Sequence, residues 1–432
     1  MTAEAQGLSE LLEQITGFIY PNEIEIHWSI LIVVYPYITG LVAGAFILAS
    51  LVKVFNVKEV QPTYRLALLT ALAFLLVAPF PLLLHLGRPE RFYEILLTPN
   101  VTSAMAMFGF VYAWYLMGVL LLEVWFEYRR DLILLAARER SPMSWVYRAL
   151  SLFSTDTSEA AVVFDRKAVR AITIIGIPSA FLLHGYVGFI FGSVKANPWW
   201  GSVLMPIVFL MSAIVSGIAL VIFLYMVLTA IRKEPIDMRC LDTVTSYLFY
   251  AVIVDFSLEA LDFIHRLYQS EESVKILGKL ITSKLFMSLL VLQILLGMFI
   301  PLAILVLAKG RKFNDDMRKL LYFIAVILIQ VGIFSTRWNV VIGGQLFSKS
   351  FRGLMGYKME VMGIEGLLAS VVLLTLPFLI LAVLVRVLPT RRLEDQVGGP
   401  GAPGVGPGRP HPAIVPAAGV SPGARSDPRE WP

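Results

Sequence analysis

Apolar runs roughly 20 residues long recur along this 432-residue chain, separated by short segments rich in charge, glycine or proline. A run of that length is what a helix needs to cross about 30 Å of hydrocarbon. The runs predict about nine spans, within a range of eight to ten, at 27–52, 64–87, 103–126, 169–193, 201–231, 241–265, 281–308, 318–344 and 362–388. They are continuous rather than alternating, which excludes a membrane β-barrel. The expected fold class is all-α, a polytopic membrane protein.

Composition agrees with the pattern. Apolar residues make up 57% of the sequence and charged residues 16%, against about 25% charged in an average soluble domain. Cys240 is the single cysteine, so the protein can form neither an internal disulfide nor a cysteine-ligated iron–sulfur cluster of its own. The net charge of +5 shows no clustering that would suggest nucleic acid.

The placement of the 36 Lys and Arg orients the spans. One set of inter-span segments holds 22 of them, the opposite set 11, and the C-terminal tail three. The bias predicts an N-terminus outside and a C-terminus in the cytoplasm, in the inner (cytoplasmic) membrane. Residues 1–26 contain no Lys or Arg and five Glu, so they read as an outer-face segment rather than a cleavable signal. Residues 27–393 form the transmembrane domain, with a cytoplasmic connection at 127–168. Residues 394–432, rich in Pro and Gly, cannot bury enough apolar area to offset their ordering entropy and are expected to be a disordered cytoplasmic tail, which contains His411.

Polar groups inside a membrane are costly and therefore candidates for function. His27 opens the first span. His85 and Arg88 close the second. His184 and Tyr186 lie near the end of the fourth, followed by Asn197, Trp199 and Trp200. Asp262, His265 and Arg266 close the sixth, Lys284 opens the seventh, and Arg337, Asn339 and Gln345 close the eighth. All map to the outer face. Any single one has a bland alternative: an interfacial anchor for a histidine, the aromatic belt for Trp199 and Trp200, outward snorkelling for Lys284. Four histidines at one level weaken that alternative. In the sixth span Asp255, Glu259 and Asp262 share one helix face, and Asp262 and Arg266 are spaced to pair. Such a row can relay protons, or it can be a set of buried interhelical bonds. Gly40 and Gly44 have the spacing of a close helix crossing.

Imidazole, phenol, amide and guanidinium groups at a membrane edge beneath aromatics suit a quinone headgroup. Its carbonyls need donors, and its reduction needs protons that histidine can deliver near neutral pH. The sequence itself shows no redox centre, so the electrons would come from a partner. Two alternatives stand beside this reading. One is a b-type cytochrome with histidine pairs on haem; the other is a proton-coupled transporter working through Asp255 and Glu259. No metal site is expected.

At these residues the sequence resembles the NrfD/PsrC family of polysulfide reductase-type membrane subunits. The pieces are His27-Trp28, YPYITGLVAGA (35–45), HLGRPERF (85–92), PNVTSAM (99–105), HGYVGFIFG (184–192), NPWW (197–200) and RWNVVIGGQ (337–345). The resemblance spans roughly 20–390, and the last piece looks closer to the larger hydrogenase- or sulfite-reduction-linked members. It implies two four-helix bundles with flanking helices. It also implies a menaquinone or ubiquinone site near the outer face, and no haem or iron–sulfur cluster in this protein. The implied partners are a ferredoxin-like iron–sulfur subunit and a catalytic molybdopterin, hydrogenase or multihaem cytochrome subunit. The protein would be one quinone-reactive subunit of a multi-subunit oxidoreductase rather than a catalyst alone. His27 and Tyr186 match positions expected to hydrogen-bond the quinone carbonyls, with His184 and Arg88 nearby. His85 stands where the family often has Asp, a departure that leaves its protonation role open. Some members are held to translocate protons; Asp255, Glu259, Asp262 and His265 would be the relay here.

Overall fold

The computed structural model describes residues 3–24, 26–139, 141–269, 273–310, 313–391 and 393. The tail assigned to 394–432 lies outside the described residues. The helices, in order, are α1 (Ala3–Gln14), α2 (Ile30–Lys53), α3 (Gln61–Val77), α4 (Phe80–His85) and α5 (Glu94–Leu97), then α6 (Ala104–Ala113), α7 (Leu121–Arg138), α8 (Met143–Leu150), α9 (Glu159–Gly192) and α10 (Met205–Arg232). There follow α11 (Met238–Gln269), α12 (Ser273–Ser283), α13 (Ile300–Gly310), α14 (Asp315–Trp338) and α15 (Leu367–Val387).

Among the described residues, eight helical stretches are long and apolar enough to cross a membrane. A further helix, α11, is 32 residues long. It is long enough to cross but carries the acidic row. The fold is thus that of an all-α polytopic membrane protein.

Helix starts follow local chemistry. Ser29 caps α2 by accepting from the Leu31 amide, Ser158 caps α9 from Ala161, and Asn314 caps α14 from Met317. Pro79 and Pro81 follow the end of α3 and separate it from α4, because proline cannot continue the amide ladder. Three stretches are π-helical rather than α-helical: Trp114–Leu120 between α6 and α7, Phe286–Phe299 before α13, and Asn339–Gly343 after α14. Each contains a glycine, and each rotates the side chains that follow it relative to a regular helix.

Helices α2, α3, α6–α7 and α9 pack as one group, and α10, α11, 286–310 and α14 as another, with α2 against α10 as the seam. The seam is tight. A Cβ on Gly217 would lie 2.4 Å from Gly44 Cα, and one on Gly44 would lie 2.1 Å from the Ala213 carbonyl. Gly297 and Gly332 make the same kind of crossing between the second π stretch and α14. Helix α15 lies on α3 and α2.

Charges explain where the helices extend beyond the predicted spans. The expected connection at 127–168 is largely helical: α7 runs to Arg138 and α9 starts at Glu159, which leaves 139–158 and the short α8 between them. Glu127, Arg129, Asp131 and Asp165 are buried, not solvated. Arg65 of α3 donates to Glu127 at 3.0 Å and Asp131 at 2.5 Å, Lys53 reaches Glu127 at 2.7 Å, and Arg129 donates to both Asp165 oxygens. Pairing across helices is what permits burial of charge.

The segment before α2 is held at the end where α2 begins, here called the His27 end. Thr16–Gly17 pairs antiparallel with Gly353–Leu354. Lys284 donates to the Gln14 carbonyl at 2.7 Å, satisfying the end of α1 rather than snorkelling outward.

Candidate functional site

At the His27 end a recess of about 460 Å³ opens between the residues entering α2, the 194–200 turn and the segment after α14. His27 lines it and is exposed, with no hydrogen-bond partner among the described residues. Its walls are built by a set of backbone locks. The Gln345 carboxamide oxygen accepts from Trp28 N–H at 3.1 Å, and its nitrogen donates to the Val341 carbonyl at 3.0 Å and the Trp28 carbonyl at 3.4 Å. Asn197 donates to the Gly344 carbonyl at 2.7 Å. Glu23, buried, accepts from Ser348 Oγ at 2.7 Å and Lys349 N–H at 3.0 Å.

The π stretch Asn339–Gly343 makes this possible. Its altered ladder leaves carbonyls for side chains to cap: Trp199 Nε1 donates to Asn339 O at 2.8 Å and Trp200 Nε1 to Val340 O at 2.6 Å. Both indoles are buried, at 5% and 7% exposure. The aromatic-belt reading of this pair is therefore corrected: the rings close the end of α14 instead of standing at a lipid interface. Trp28 stacks on Trp200 at 5.2 Å, which fixes the backbone that carries His27.

The other predicted residues occupy separate places. Half-buried His85 pairs through Nδ1 with Glu365 Oε2 at 2.8 Å. Arg88 is exposed in the loop after α4. Tyr186 stacks on Phe108 at 6.1 Å and lies 5.4 Å from Phe189; it has no hydrogen-bond partner among the described residues. His184 is fully buried. It sits eight residues inside the end of α9, about 12 Å along the axis. Of the four histidines expected at one level, this one is corrected to the interior. Its ring fills the space left by Gly40, where a Cβ would stand 3.2 Å away, and its Nε2 meets Arg337 Nη2 at 3.2 Å. Arg337, with no solvent exposure, also donates to Ser212 Oγ at 2.6 Å and lies 4.2 Å over the Phe209 ring.

On α11 the expected Asp262–Arg266 pair is present, with Nε at 2.8 Å and Nη2 at 2.5 Å from one carboxylate oxygen. Ser202 donates to the other oxygen, so both Asp262 oxygens are engaged. Asp255 is buried, and its Oδ1 has no partner among the described residues. Glu259 accepts from Gln293 Nε2 at 2.9 Å, and Gln293 accepts from Asn339 Nδ2 at 2.7 Å. His265 is half-buried one turn further on.

Sequence reasoning missed Glu23, placed in a segment read only as acidic, and Gln293, a lone amide in an apolar run. The one available signal for Gln293 was a polar residue in the middle of a span. Nothing in the sequence marked the π stretches that turn Gln293 and Asn339 towards each other.

A family model described as "Polysulphide reductase, NrfD" matches residues 21–349. The sequence is 30% identical over 321 residues to a selenate reductase subunit of Mesobacillus selenatarsenatis, covering 73% of each protein. It is 25% identical over 391 residues to the Hdr-like menaquinol oxidoreductase integral membrane subunit of Archaeoglobus fulgidus, covering 86% of this protein and 87% of that one. It is 23% identical over 334 residues to a polysulfide reductase polypeptide of Wolinella succinogenes, covering 76% and 96% respectively.

Proposed function

Because the chain belongs to the NrfD family of polysulphide reductase-type membrane proteins, we propose that it is the quinone-reactive membrane subunit of an oxidoreductase complex, with quinone meeting it in the His27 recess. The observation that carries the reading is the recess itself. It has room for a ring, aromatic walls in Trp200, Phe347 and Phe351, and an imidazole free to hydrogen-bond a ring oxygen. The residues present fit a quinone headgroup. When bound, the quinone, menaquinone or ubiquinone, supplies two-electron, two-proton carrier chemistry.

In this reading the protein's own residues bind, orient and handle protons. His27 holds a ring oxygen through its imidazole and can give or take a proton there. Tyr186, on α9 and outside the recess lining, offers a phenol hydroxyl without a partner among the described residues as the second carbonyl donor. His85, hydrogen-bonded to Glu365, is the further imidazole proposed for proton handling. His184 and Arg88 are the outlying members of the expected set. Electrons arrive from or leave to a ferredoxin-like iron–sulfur subunit joined to a catalytic subunit, in line with relatives named as parts of reductases. The charge bias supports reading the His27 end as the outer face.

The carboxylates of α11 extend the reading. Asp255 and Glu259 each keep an oxygen without a partner among the described residues, as a group that exchanges protons requires. Asp262, held by Arg266 and Ser202, and the adjacent His265 would be the exit of such a relay.

The test is quinol-dependent turnover of the purified complex carrying His27→Ala or Tyr186→Phe. A loss of turnover with all subunits still assembled is expected. Unchanged turnover in both variants overturns the assignment.

A further inference from the structure

A second cavity, of about 270 Å³, lies between α11, the Phe286–Phe299 π stretch and the end of α14. Among the described residues it shares no lining residue with the His27 recess; Trp199 faces this cavity and Trp200 the other. Its volume is near the low end of ordinary ligand pockets. The walls are Phe256, Phe263, Leu289, Ile294, Met298 and Val208.

The floor is polar and unsaturated. Asn339 Oδ1, Glu259 Oε1 and Arg266 Nη1 are buried and have no hydrogen-bond partner among the described residues. Asn339 is 2% exposed and Arg266 8%. Such groups are costly to leave unmade. Two of the π stretches deliver Gln293 and Asn339 to this floor, and π insertions concentrate at functional sites.

We propose that this cavity is a second binding site for a quinone-class amphiphile, distinct from the His27 recess and resting on the preceding section only for the ligand class. The chemistry selects the occupant. An acyl tail would leave all three polar atoms unsatisfied. A phosphate headgroup would meet the Glu259 and Asp262 carboxylates. A small hydrophilic solute would meet mostly apolar wall. A flat ring with two oxygens and an apolar tail satisfies both surfaces: a ring carbonyl accepts from Arg266 Nη1, and a ring hydroxyl donates to Asn339 Oδ1 or Glu259 Oε1. The site binds oxidised and reduced rings through different partners, and places them one hydrogen bond from Gln293.

The test is photolabelling of the intact complex in lipid nanodiscs with an azidoquinone carrying a short isoprenoid tail, followed by peptide mapping. Label is expected on 256–267 and 289–298 as well as on 194–198 and 344–355. Asn339→Leu, which removes one of the ring's partners, should cut the first pair about tenfold, the value of one lost hydrogen bond of this kind, and leave the second pair labelled. Ala260→Phe, which fills the cavity from its wall without touching a polar group, should do the same. Label confined to 194–198 and 344–355 overturns this inference and leaves the His27 assignment standing. Cavity label displaced by added phospholipid but not by an unlabelled short-tailed quinone also overturns it, as binding of lipid only. Absence of label at both places overturns both.

Discussion

Replacing Gln345 with Leu removes three hydrogen bonds at once and leaves the His27 imidazole chemically unaltered. Trp28 N–H loses its acceptor at 3.1 Å, and the Val341 and Trp28 carbonyls lose donors at 3.0 and 3.4 Å. A buried backbone group left unpaired costs about 1–3 kcal/mol. Trp28 is half-buried and water can reach it in part, so the total should be about 2–4 kcal/mol. Gln345→Glu keeps the acceptor and loses the donors, at about half that cost. The thermal unfolding midpoint of the purified protein should therefore fall in the order wild type, Glu, Leu. Since Gln345 positions Trp28, and Trp28 the adjacent His27, quinol KM should rise more than kcat falls in both variants. A Leu variant that melts with wild type, or Glu and Leu variants that melt together, would refute the role assigned to this carboxamide.

Three further outcomes follow from the packing. Gly217→Leu places a side chain where even a Cβ would stand 2.4 Å from Gly44 Cα; it should cost about 3 kcal/mol or more by overpacking and show as loss of folded protein in size-exclusion profiles. Arg337→Lys should not rescue Arg337→Met, because Ser212 and His184 are both met by one guanidinium nitrogen of a group that also stacks on Phe209; equal melting of Arg337→Lys and wild type would count against this. Asp255→Asn should leave quinol oxidation by the complex intact and alter proton uptake in proteoliposomes, whereas unaltered uptake marks Asp255 as structural.

Much of the architecture was legible because its causes are local. Apolar run length predicts a span, and Asp262 reaches Arg266 because four residues along a helix make neighbours. The nine predicted spans all correspond to helices, and the candidate residues at span ends, His27 and His85, lie at the ends. The misreadings have one cause. Glu127, Asp131 and Asp165 fell in the stretch read as a cytoplasmic connection, yet each is buried against an arginine more than 30 positions away. His184 looked like a span-end group, yet faces Arg337 from 153 positions away.

The sequence by itself determined that the protein is a bundle of membrane-crossing helices carrying polar groups, since hydrophobicity and helical periodicity are properties of neighbouring residues. The tertiary structure alone decided which of those groups share a cavity. A π stretch turns Asn339 towards Gln293 and leaves carbonyls that Trp199 and Trp200 cap. A glycine at 40 makes room for an imidazole from another helix. Such pairings depend on helix rotation and crossing, which are set by the shapes of distant side chains and leave no periodic trace along the sequence.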